Sequence, residues 1–340
     1  NCTLCAYMAP TKPKRLTPLE PIIEDEISEI KIVRDLEEIM KKRMDSAFTL
    51  ETFFELEKVN IDNALQHLPN HLQDSILKTL KETKILSMDP YDIGEAKFEL
   101  SVPLKKPIPK QTIIYPLKNE ENEQLRTMID VMLKRKIIKR RPPHMQWGAP
   151  IFLLKKEKAD RSYRLVADYR QQNQSIEGTS STYMPNILKN LQSFQNPTFI
   201  SSIDIKSMYE SLKLDQEAIE NGVGSINCIY GAFSYLRAPT GNSLVPAFAT
   251  SQLNYYLDFN KDNQVDRIKN MFNYMDDLNV ISSGTVEEHV AEFEELLRRV
   301  AKLGFKISLK KAKIAVDLKK SSIQIFGYNF SNKGLTIPQD

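Results

Sequence analysis

Phe272-Asn273-Tyr274-Met275-Asp276-Asp277-Leu278-Asn279-Val280-Ile281 sets two adjacent carboxylates at the tip of a predicted β-hairpin, between apolar flanks. Two unit negative charges about 4 Å apart repel by roughly 4 kcal/mol at an effective dielectric near 20. A chain that accepts this inside an apolar strand pair is usually holding a hard divalent cation such as Mg²⁺. An isolated Asp-Asp pair is more often a solvated turn. Tyr274-Met275 before it and Leu278-Asn279-Val280-Ile281 after it read as half-buried, which weakens the turn reading without removing it.

The chain has 340 residues, enough for one large or two ordinary domains, and its 41% hydrophobic content supplies a real core. No run of 18 or more apolar residues occurs, so no membrane span is predicted, and nothing resembles a signal peptide. Asn1 in place of Met suggests a trimmed, cleaved or excerpted chain. Three cysteines argue against a disulfide scaffold and fit a reducing, cytoplasmic setting. Cys2 and Cys5 form a C-x-x-C with no second pair, a weak zinc signal. His67, His71, His144 and His289 form no ligand pattern; His67 and His71 read as solvated histidines on a helix face.

The net charge of +3 conceals an uneven distribution. Ser101 to Arg170 holds 17 Lys and Arg against 7 Asp and Glu, densest at Lys134-Arg135-Lys136 and Lys139-Arg140-Arg141. Such a stripe attracts phosphate backbones, although a solvated helix face explains it equally well. Residues 20–57 are acid-rich by contrast.

Periodicity and punctuation place the elements. Pro10, Pro13 and Pro18 mark a flexible lead-in, and Ile27, Ile30, Leu36 and Met40 predict an amphipathic helix, with others near 49–58 and 70–84. Pro103, Pro107, Pro109 and Pro116 mark an extended linker and the main boundary. A helical stripe over 120–138 runs into the basic cluster and is stopped by Pro142-Pro143. Strands follow over 150–154, 163–167, 198–204 and 231–237, with a charged turn at 155–161. A helix over 244–258 precedes the Asp-Asp hairpin. Thr285 and Glu288 then form a capping box for a helix that Gly304 closes, and strands near 313–316 and 323–330 finish the chain. Hairpins alternating with helices predict an α+β fold, helices on one face of an antiparallel sheet.

Asp204 ends the apolar strand Thr198-Phe199-Ile200-Ser201-Ser202-Ile203-Asp204, 72 residues before Asp276. If that strand lies beside the hairpin, three carboxylates converge. Two metal ions about 3.5–4 Å apart can then activate a hydroxyl and stabilise a leaving oxygen, which is nearly all that phosphoryl transfer asks of a protein.

Asp204-Ile205-Lys206-Ser207-Met208-Tyr209 followed by Tyr274-Met275-Asp276-Asp277 resembles the first and third catalytic motifs of reverse transcriptases. Arg164-Leu165-Val166-Ala167-Asp168-Tyr169-Arg170-Gln171-Gln172-Asn173 resembles the family's R-x-x-x-D-[YF]-R-x-x-N strand, and Pro150 to Lys156 the strand before it. Arg237-Ala238-Pro239-Thr240-Gly241 through Pro246-Ala247 is similar to the motif under template and nucleotide. Leu303-Gly304-Phe305-Lys306 to Lys311 and Phe326-Gly327-Tyr328 to Gly334 are similar to the last palm motifs. Tyr115-Pro116-Leu117 and Asp89-Pro90-Tyr91-Asp92-Ile93-Gly94 resemble upstream segments of gypsy-type LTR retrotransposon polyproteins. The resemblance covers roughly 60–340.

That resemblance implies a right-hand fold with fingers at about 111–180 and 212–243 and palm at about 181–211 and 244–340. A helical lead-in and linker would occupy 1–110, with no room for a thumb after Gly334. It implies an RNA-directed DNA polymerase that uses two Mg²⁺ ions, with Mn²⁺ as substitute, to join a dNTP to a primer 3′-hydroxyl on an RNA or DNA template. RNase H and integrase would be parts of the same polyprotein, and a virus-like particle or the nucleus would be further settings. The sequence leaves the oligomeric state open. Asp204, Asp276 and Asp277 would be the metal-binding carboxylates, with the Ile205 carbonyl as a further ligand. Lys156 and Arg164 would grip the triphosphate; the turn is one residue longer than in retroviral relatives, so Lys155 or Lys158 competes with Lys156. Thr240 and Gly241 would form the nucleotide floor. Tyr209 would be the steric gate against a ribose 2′-hydroxyl, or else a core tyrosine. Lys311 would protonate the leaving pyrophosphate, or else be a surface lysine.

Thr240 departs from the usual aromatic or glutamine, Met208 from a small residue, and the aromatic Phe248 is shifted; none is a metal ligand. No Asp-[Ser/Thr]-Gly protease signature occurs. Two other classes remain from the sequence: a degenerate or domesticated element acting as a nucleic-acid-binding or structural protein, and an RNA-templated RNA polymerase. Tyr209 and the methionine of Met275-Asp276-Asp277 speak against the latter.

Overall fold

The computed structural model describes residues 50–89, 91–155, 163–177, 191–192, 194, 196–258 and 270–337. The predicted helix over 27–40 and Lys156 lie outside these residues. The described chain forms one compact unit beginning at Leu50.

In chain order it opens with helices α1 (Leu50–Leu65) and α2 (Asn70–Thr83), the short strand β1 (Glu99–Leu100) and helix α3 (Asn119–Lys134). Next come β2 (Ile138–Arg140), β3 (Ala149–Lys155), β4 (Tyr163–Ala167) and the single turn α4 (Arg170–Asn173). The middle holds β5 (Phe199–Ile205), α5 (Met208–Ser211), β6 (Lys213–Leu214), α6 (Gln216–Glu220), β7 (Ile226–Cys228), β8 (Gly231–Tyr235) and α7 (Val245–Asp258). The last part is β9 (Met271–Tyr274), β10 (Asp277–Ser282), α8 (Val286–Lys302), β11 (Ile307–Asp317), β12 (Ile323–Ile325), β13 (Tyr328–Ser331) and β14 (Gly334–Thr336).

Two sheets matter for the site. One has the order β11-β5-β10-β9, entirely antiparallel, and the other the order β2-β8-β7-β3-β4. In β5 the alternation sends Ser201, Ile203 and Ile205 to a buried face against α8, and Ser202 and Asp204 to the opposite, more open face. Helix α8 is positioned by its capping box, with Glu288 N–H donating to Thr285 Oγ1 at 3.2 Å and Thr285 N–H to Glu288 Oε2 at 2.9 Å. Of the helix-spaced apolar set Val286, Val290, Phe293, Leu297 and Val300 expected from the sequence, all but Val286 are buried, and Leu296 joins them. A smaller core of Ile200, Phe272, Ile281, Ile323, Ile325 and Phe330 joins the other face of this sheet to the β12-β13-β14 sheet.

The basic cluster differs from the expectation of one helix stopped by Pro142-Pro143. Helix α3 ends at Lys134, and Lys136 takes a left-handed backbone (φ 53°). Ile137 and Ile138 are thereby buried, and residues 138–140 pair with β8 as β2. The cluster is divided between a helix end and a strand, so it is not a single charged face. Beyond it, Arg141 is buried with its guanidinium 3.8 Å from the Trp147 ring, and Gly222 lies so close that a Cβ there would stand 2.3 Å from that ring.

Residues 84–89 and 91–97 do not hang free ahead of the sheets. Glu95 N–H donates to Gly304 O and Lys97 N–H to Leu303 O, each at 2.9 Å, while Ala96 N–H reaches Ser211 O at 3.0 Å. Glu95 also pairs with Lys213 and Arg237. Lys306 Nζ joins Lys84 O at 2.7 Å and the Asp92 carboxylate at 3.2 Å. This strap therefore ties the end of α8, the segment after β5 and the turn after β8 together. Among the described residues no helix is long and apolar enough to cross a membrane.

Candidate active site

Strand β5 lies between β10 and β11, and its register places Asp204 directly opposite Asp277 on one side and Ser308 on the other. Directly opposed residues of an antiparallel pair project to the same face, so both carboxyl groups leave the sheet on its open side. Met275 and Asp276 form the two-residue turn between β9 and β10, with Tyr274 opposite Asp277. Met275 sits at φ 54°, a position where hairpins of this kind prefer glycine. That conformation costs a methionine on the order of 1 kcal/mol, and such strain collects at functional sites. The turn is anchored because Ile205 N–H donates to Asp276 O at 2.8 Å, which brings Asp276 over the end of β5. Ser207, just beyond Asp204, is also left-handed (φ 47°) and starts α5, which carries Tyr209.

The electrostatics follow from this crowding. Burial, then the charges of Asp276 and Asp277, push the Asp204 carboxyl up to about 7, and its carboxyl and that of Asp276 stand close enough to share a proton. Burial and the Asp276 charge raise Asp277 as well, while Lys311 opposes the shift in both Asp204 and Asp277. Burial, then the Asp276 charge, raises the half-buried Tyr209 phenol. Asp204, Asp276, Asp277, Tyr209 and Lys311 are thus one electrostatic group. Lys311, Lys313, Ser202 and Asp277 line a cavity of about 640 Å³ that reaches to Phe326.

The donors are carboxylate oxygens, which suit a hard cation such as Mg²⁺ or Mn²⁺. Among the described residues no group of three or more His, Cys, Asp or Glu side chains is arranged to hold a metal ion as it stands. The fit is that of a pair, Asp204 with Asp276, with Asp277 facing Asp204 across the ladder. A cation between the pair would replace the shared proton and remove the repulsion that raises Asp204.

This repulsion makes a measurable prediction. The raised carboxyl of Asp204 means that the folded state binds a proton which the unfolded chain, with its ordinary value of 3.8, releases. Metal-free stability therefore falls as pH rises from about 4 through about 7. Asp204→Asn removes that loss and should raise the metal-free melting temperature at pH 8 by about 2–5 °C, an estimate of about 1–2 kcal/mol after discounting for partial exposure. Mg²⁺ should raise the melting temperature of the native chain and leave that of the variant unmoved. A variant that melts lower at pH 8 would contradict the crowding.

The nucleotide-floor candidates Thr240 and Gly241 are held by the segment that follows β4. Asn173 Nδ2 donates to Gly241 O at 3.0 Å, and Ser243 N–H donates to Asn173 Oδ1 at 3.2 Å. Gly241 (φ 100°) packs over the Tyr169 ring, which a Cβ would approach to 3.3 Å, and Thr240 is exposed beside it. Tyr169 is held in turn by its hydroxyl, which donates to Gly224 O at 3.0 Å. The Asp168 carboxylate is drawn down to about 2 chiefly by Arg170, whose Nε and Nη2 donate to it at 2.8 and 2.6 Å. Arg164 stands exposed on β4 opposite Leu154. The block from Arg164 to Asn173 thus acts as a bracket for the Thr240-Gly241 turn, a role that Asn173 carries and that its place in the sequence motif did not reveal. Lys206, two residues past Asp204, donates to Ser87 Oγ at 2.6 Å and so docks the strap on the site.

An antiparallel sheet with an aspartate at the end of a central strand, an Asp-Asp turn beside it and a second sheet bracketing a glycine turn is the fingers-and-palm fold of a polymerase. The family model for reverse transcriptase (RNA-dependent DNA polymerase) matches residues 154–330, just over half of the chain, and the chain belongs to that family. It is 26% identical over 226 residues to the Transposon Tf2-7 polyprotein of Schizosaccharomyces pombe, covering 66% of this chain and 16% of the polyprotein. It is 26% identical over 329 residues to the enzymatic polyprotein of figwort mosaic virus, covering 89% of this chain and 46% of that protein. The chain therefore spans less than half the length of these relatives. Among solved structures, the foamy viral protease-reverse transcriptase in complex with dsDNA superposes with a TM-score of 0.69 at 19% identity, over 84% of this chain and 56% of that one.

Proposed function

We propose that this chain is the RNA-directed DNA polymerase segment of a retroelement polyprotein. It would extend a primer 3′-hydroxyl on an RNA or DNA template by nucleotidyl transfer from a dNTP. The observation that carries the reading is the register of β5 against β10, which sets Asp204 opposite Asp277 with the Asp276 carboxyl in reach. The strained Met275 turn is a cost that a less crowded hairpin would not carry. The family's membership in polyproteins and the dsDNA seen with the foamy viral relative support the same assignment.

Asp204 and Asp276 would hold the divalent ions, with Asp277 completing the set. Bound there, such ions lower the cost of ionising the primer hydroxyl and of charge on the departing oxygen. The chain's own residues do the positioning. The Ile205–Asp276 backbone bond fixes the turn over β5, and the Tyr209 ring walls the site at the sugar. The Asn173 bracket holds Thr240-Gly241 as the floor. Lys311 lies where an ammonium offsets the carboxylates and can supply a proton to pyrophosphate. Arg164 would meet the triphosphate from the fingers; residues 111–180 and 212–243 are taken as fingers and 181–211 and 244–340 as palm.

Primer extension on poly(rA)/oligo(dT) with Mg²⁺ or Mn²⁺ tests this reading, run on this chain and on a longer polyprotein segment. Incorporation of dTTP by either is the expected result, and inactivity in both would overturn it. Tyr209→Ala supplies a second check. Removing the ring should narrow the preference for dNTP over rNTP by about 10- to 100-fold, measured as the ratio of kcat/KM values. An unchanged ratio would remove Tyr209 from the sugar site.

A further inference from the structure

We propose that His289 is a positioning residue which, through Ser201, fixes the bulge of β11 that turns Lys311 toward Asp204 and Asp277. The proposal rests on the polymerase reading for its consequence in catalysis, and on geometry alone for the position of Lys311.

His289 is fully buried on α8, beneath the sheet and on the side away from the carboxylates. Both ring nitrogens are engaged: Nε2 lies 2.8 Å from Ser201 Oγ on β5, and Nδ1 lies 2.7 Å from Ser282 Oγ on β10. Ser201 Oγ has a further partner, accepting from Ala315 N–H on β11 at 2.8 Å. The simplest set of protons has Ser201 donating to Nε2 and Nδ1–H donating to Ser282, which is the neutral imidazole. Burial holds the ring to about 4, in keeping with that form. One imidazole thus links three strands of the site's sheet.

The bond to Ala315 gives the network its purpose. Lys313 pairs with Ser202 and Val316 with Ile200, so three steps along β11 match two along β5, and an extra residue is accommodated between them. Ala315 takes the left-handed backbone there (φ 46°), unusual for a residue with a Cβ. A bulge leaves an N–H without a ladder partner, and a buried N–H must find another. Ser201 provides it. The adjoining stretch from Ser308 to Lys313 is a second irregularity, five steps against the two from Asp204 to Ser202, and it contains Lys311. The strand re-enters the ladder at Lys313, between the two irregularities, so fixing Ala315 fixes the base from which the Lys311 segment leaves. Without Ser201 the regular register is the alternative for Ala315, and a shift there moves Lys311 relative to both carboxylates. Alternation along β5 lets one strand do both tasks, with Ser201 on the buried side and Asp204 on the open side.

The test compares Ser201→Ala, Ser201→Thr, Lys311→Ala and the double variant S201A/K311A in the full chain, with melting curves for each. In primer extension, Ser201→Ala should lower kcat about tenfold with the dNTP KM changed less than about twofold, and Ser201→Thr, which keeps the hydroxyl, should recover it. In the Lys311→Ala background Ser201→Ala should add nothing beyond about twofold, because its effect runs through Lys311. Effects that multiply would show an independent, merely structural role and overturn the proposal. A readout without activity separates this from failure of the polymerase reading: zero-length carbodiimide coupling of the Lys311 amine to Asp204 or Asp277, read by peptide mass spectrometry without metal. Coupling should fall at least about threefold in Ser201→Ala and stay near the native yield in Ser201→Thr, as expected when a hydroxyl controls the geometry. Equal coupling in all three chains would overturn the proposal even where no chain extends a primer. Should Ser201→Ala fail to fold, His289→Gln carries the same measurements, since its one amide reaches only one of the two hydroxyls.

Discussion

Asp276→Asn is expected to lower primer extension about a thousandfold, the loss of about 4–5 kcal/mol of transition-state stabilisation through a metal-bearing carboxylate. The substitution removes a charge and little else. Asn keeps the shape of the side chain, the Asp276 backbone carbonyl still receives Ile205 N–H, and the amide can still hydrogen-bond to Asp204. The fold should therefore survive, and the metal-free protein should melt no lower than the native one because a repulsion has been relieved. Single-turnover extension with saturating dNTP measures the chemical step, and a melting curve verifies the fold. A variant within tenfold of the native rate would exclude Asp276 from the chemistry. A variant that is inactive and also melts early would say only that the turn was broken, and Asp276→Glu would then be the next comparison.

The second large effect lies far from the carboxylates. Gly304→Ala is expected to destabilise the chain by at least about 3 kcal/mol, lowering the melting temperature by about 6–10 °C. Gly304 follows the end of α8 with φ 88°, the left-handed conformation that closes a helix. An alanine there meets its own strain of about 1 kcal/mol. The greater cost comes from the strap, because a Cβ at Gly304 would stand 1.9 Å from Glu95 O and 2.9 Å from its carbonyl carbon. Gly94 faces it with a close approach of its own, a Cβ there standing 2.6 Å from Gly304 O. Backbone on both sides leaves nothing flexible to yield, so the strap must lift. Its two bonds to residues 303 and 304 would break, and with them the links from Glu95 to Lys213 and Arg237. A fall of less than about 2 °C would mean that residues 84–89 and 91–97 contribute little to the fold.

Much of this was legible in the residues because the signals were local. The capping box at Thr285 and Glu288, the apolar stripe of α8, and the alternation through Phe199–Ile205 each fix an element without reference to the rest of the chain. The carboxylate trio was legible because ordered motifs name it. What the sequence withheld depends on neighbours distant along the chain. Lys136 ends α3 by its backbone conformation, which a run of basic residues does not reveal, and β2 forms only because β8, almost a hundred residues later, offers an edge. The residues at 91–97 fall within the stretch that the resemblance assigns to lead-in and linker, yet they are pinned by a helix end more than two hundred residues away. His289 belonged to no ligand pattern, and its partners are two serines on strands that adjoin only in the folded sheet. Asn173 was visible as a motif letter, while its double bond to the Gly241 turn required the turn to be placed beside it.

Trp147 is the sole tryptophan of the chain, and it is packed beside the β2-β8-β7-β3-β4 sheet, between the Arg141 guanidinium and Gly222. The molecule thus carries its own optical label, confined to one of its two principal sheets. Light absorbed selectively by indole reports the packing of the β2-β8-β7-β3-β4 sheet and is blind to the sheet that holds the carboxylates, whose aromatic rings are tyrosine and phenylalanine. A denaturation followed by indole emission and one followed by backbone dichroism would coincide if the two sheets come apart together. If they separate, the order in which the halves of the hand let go can be read from the native protein without attaching a dye.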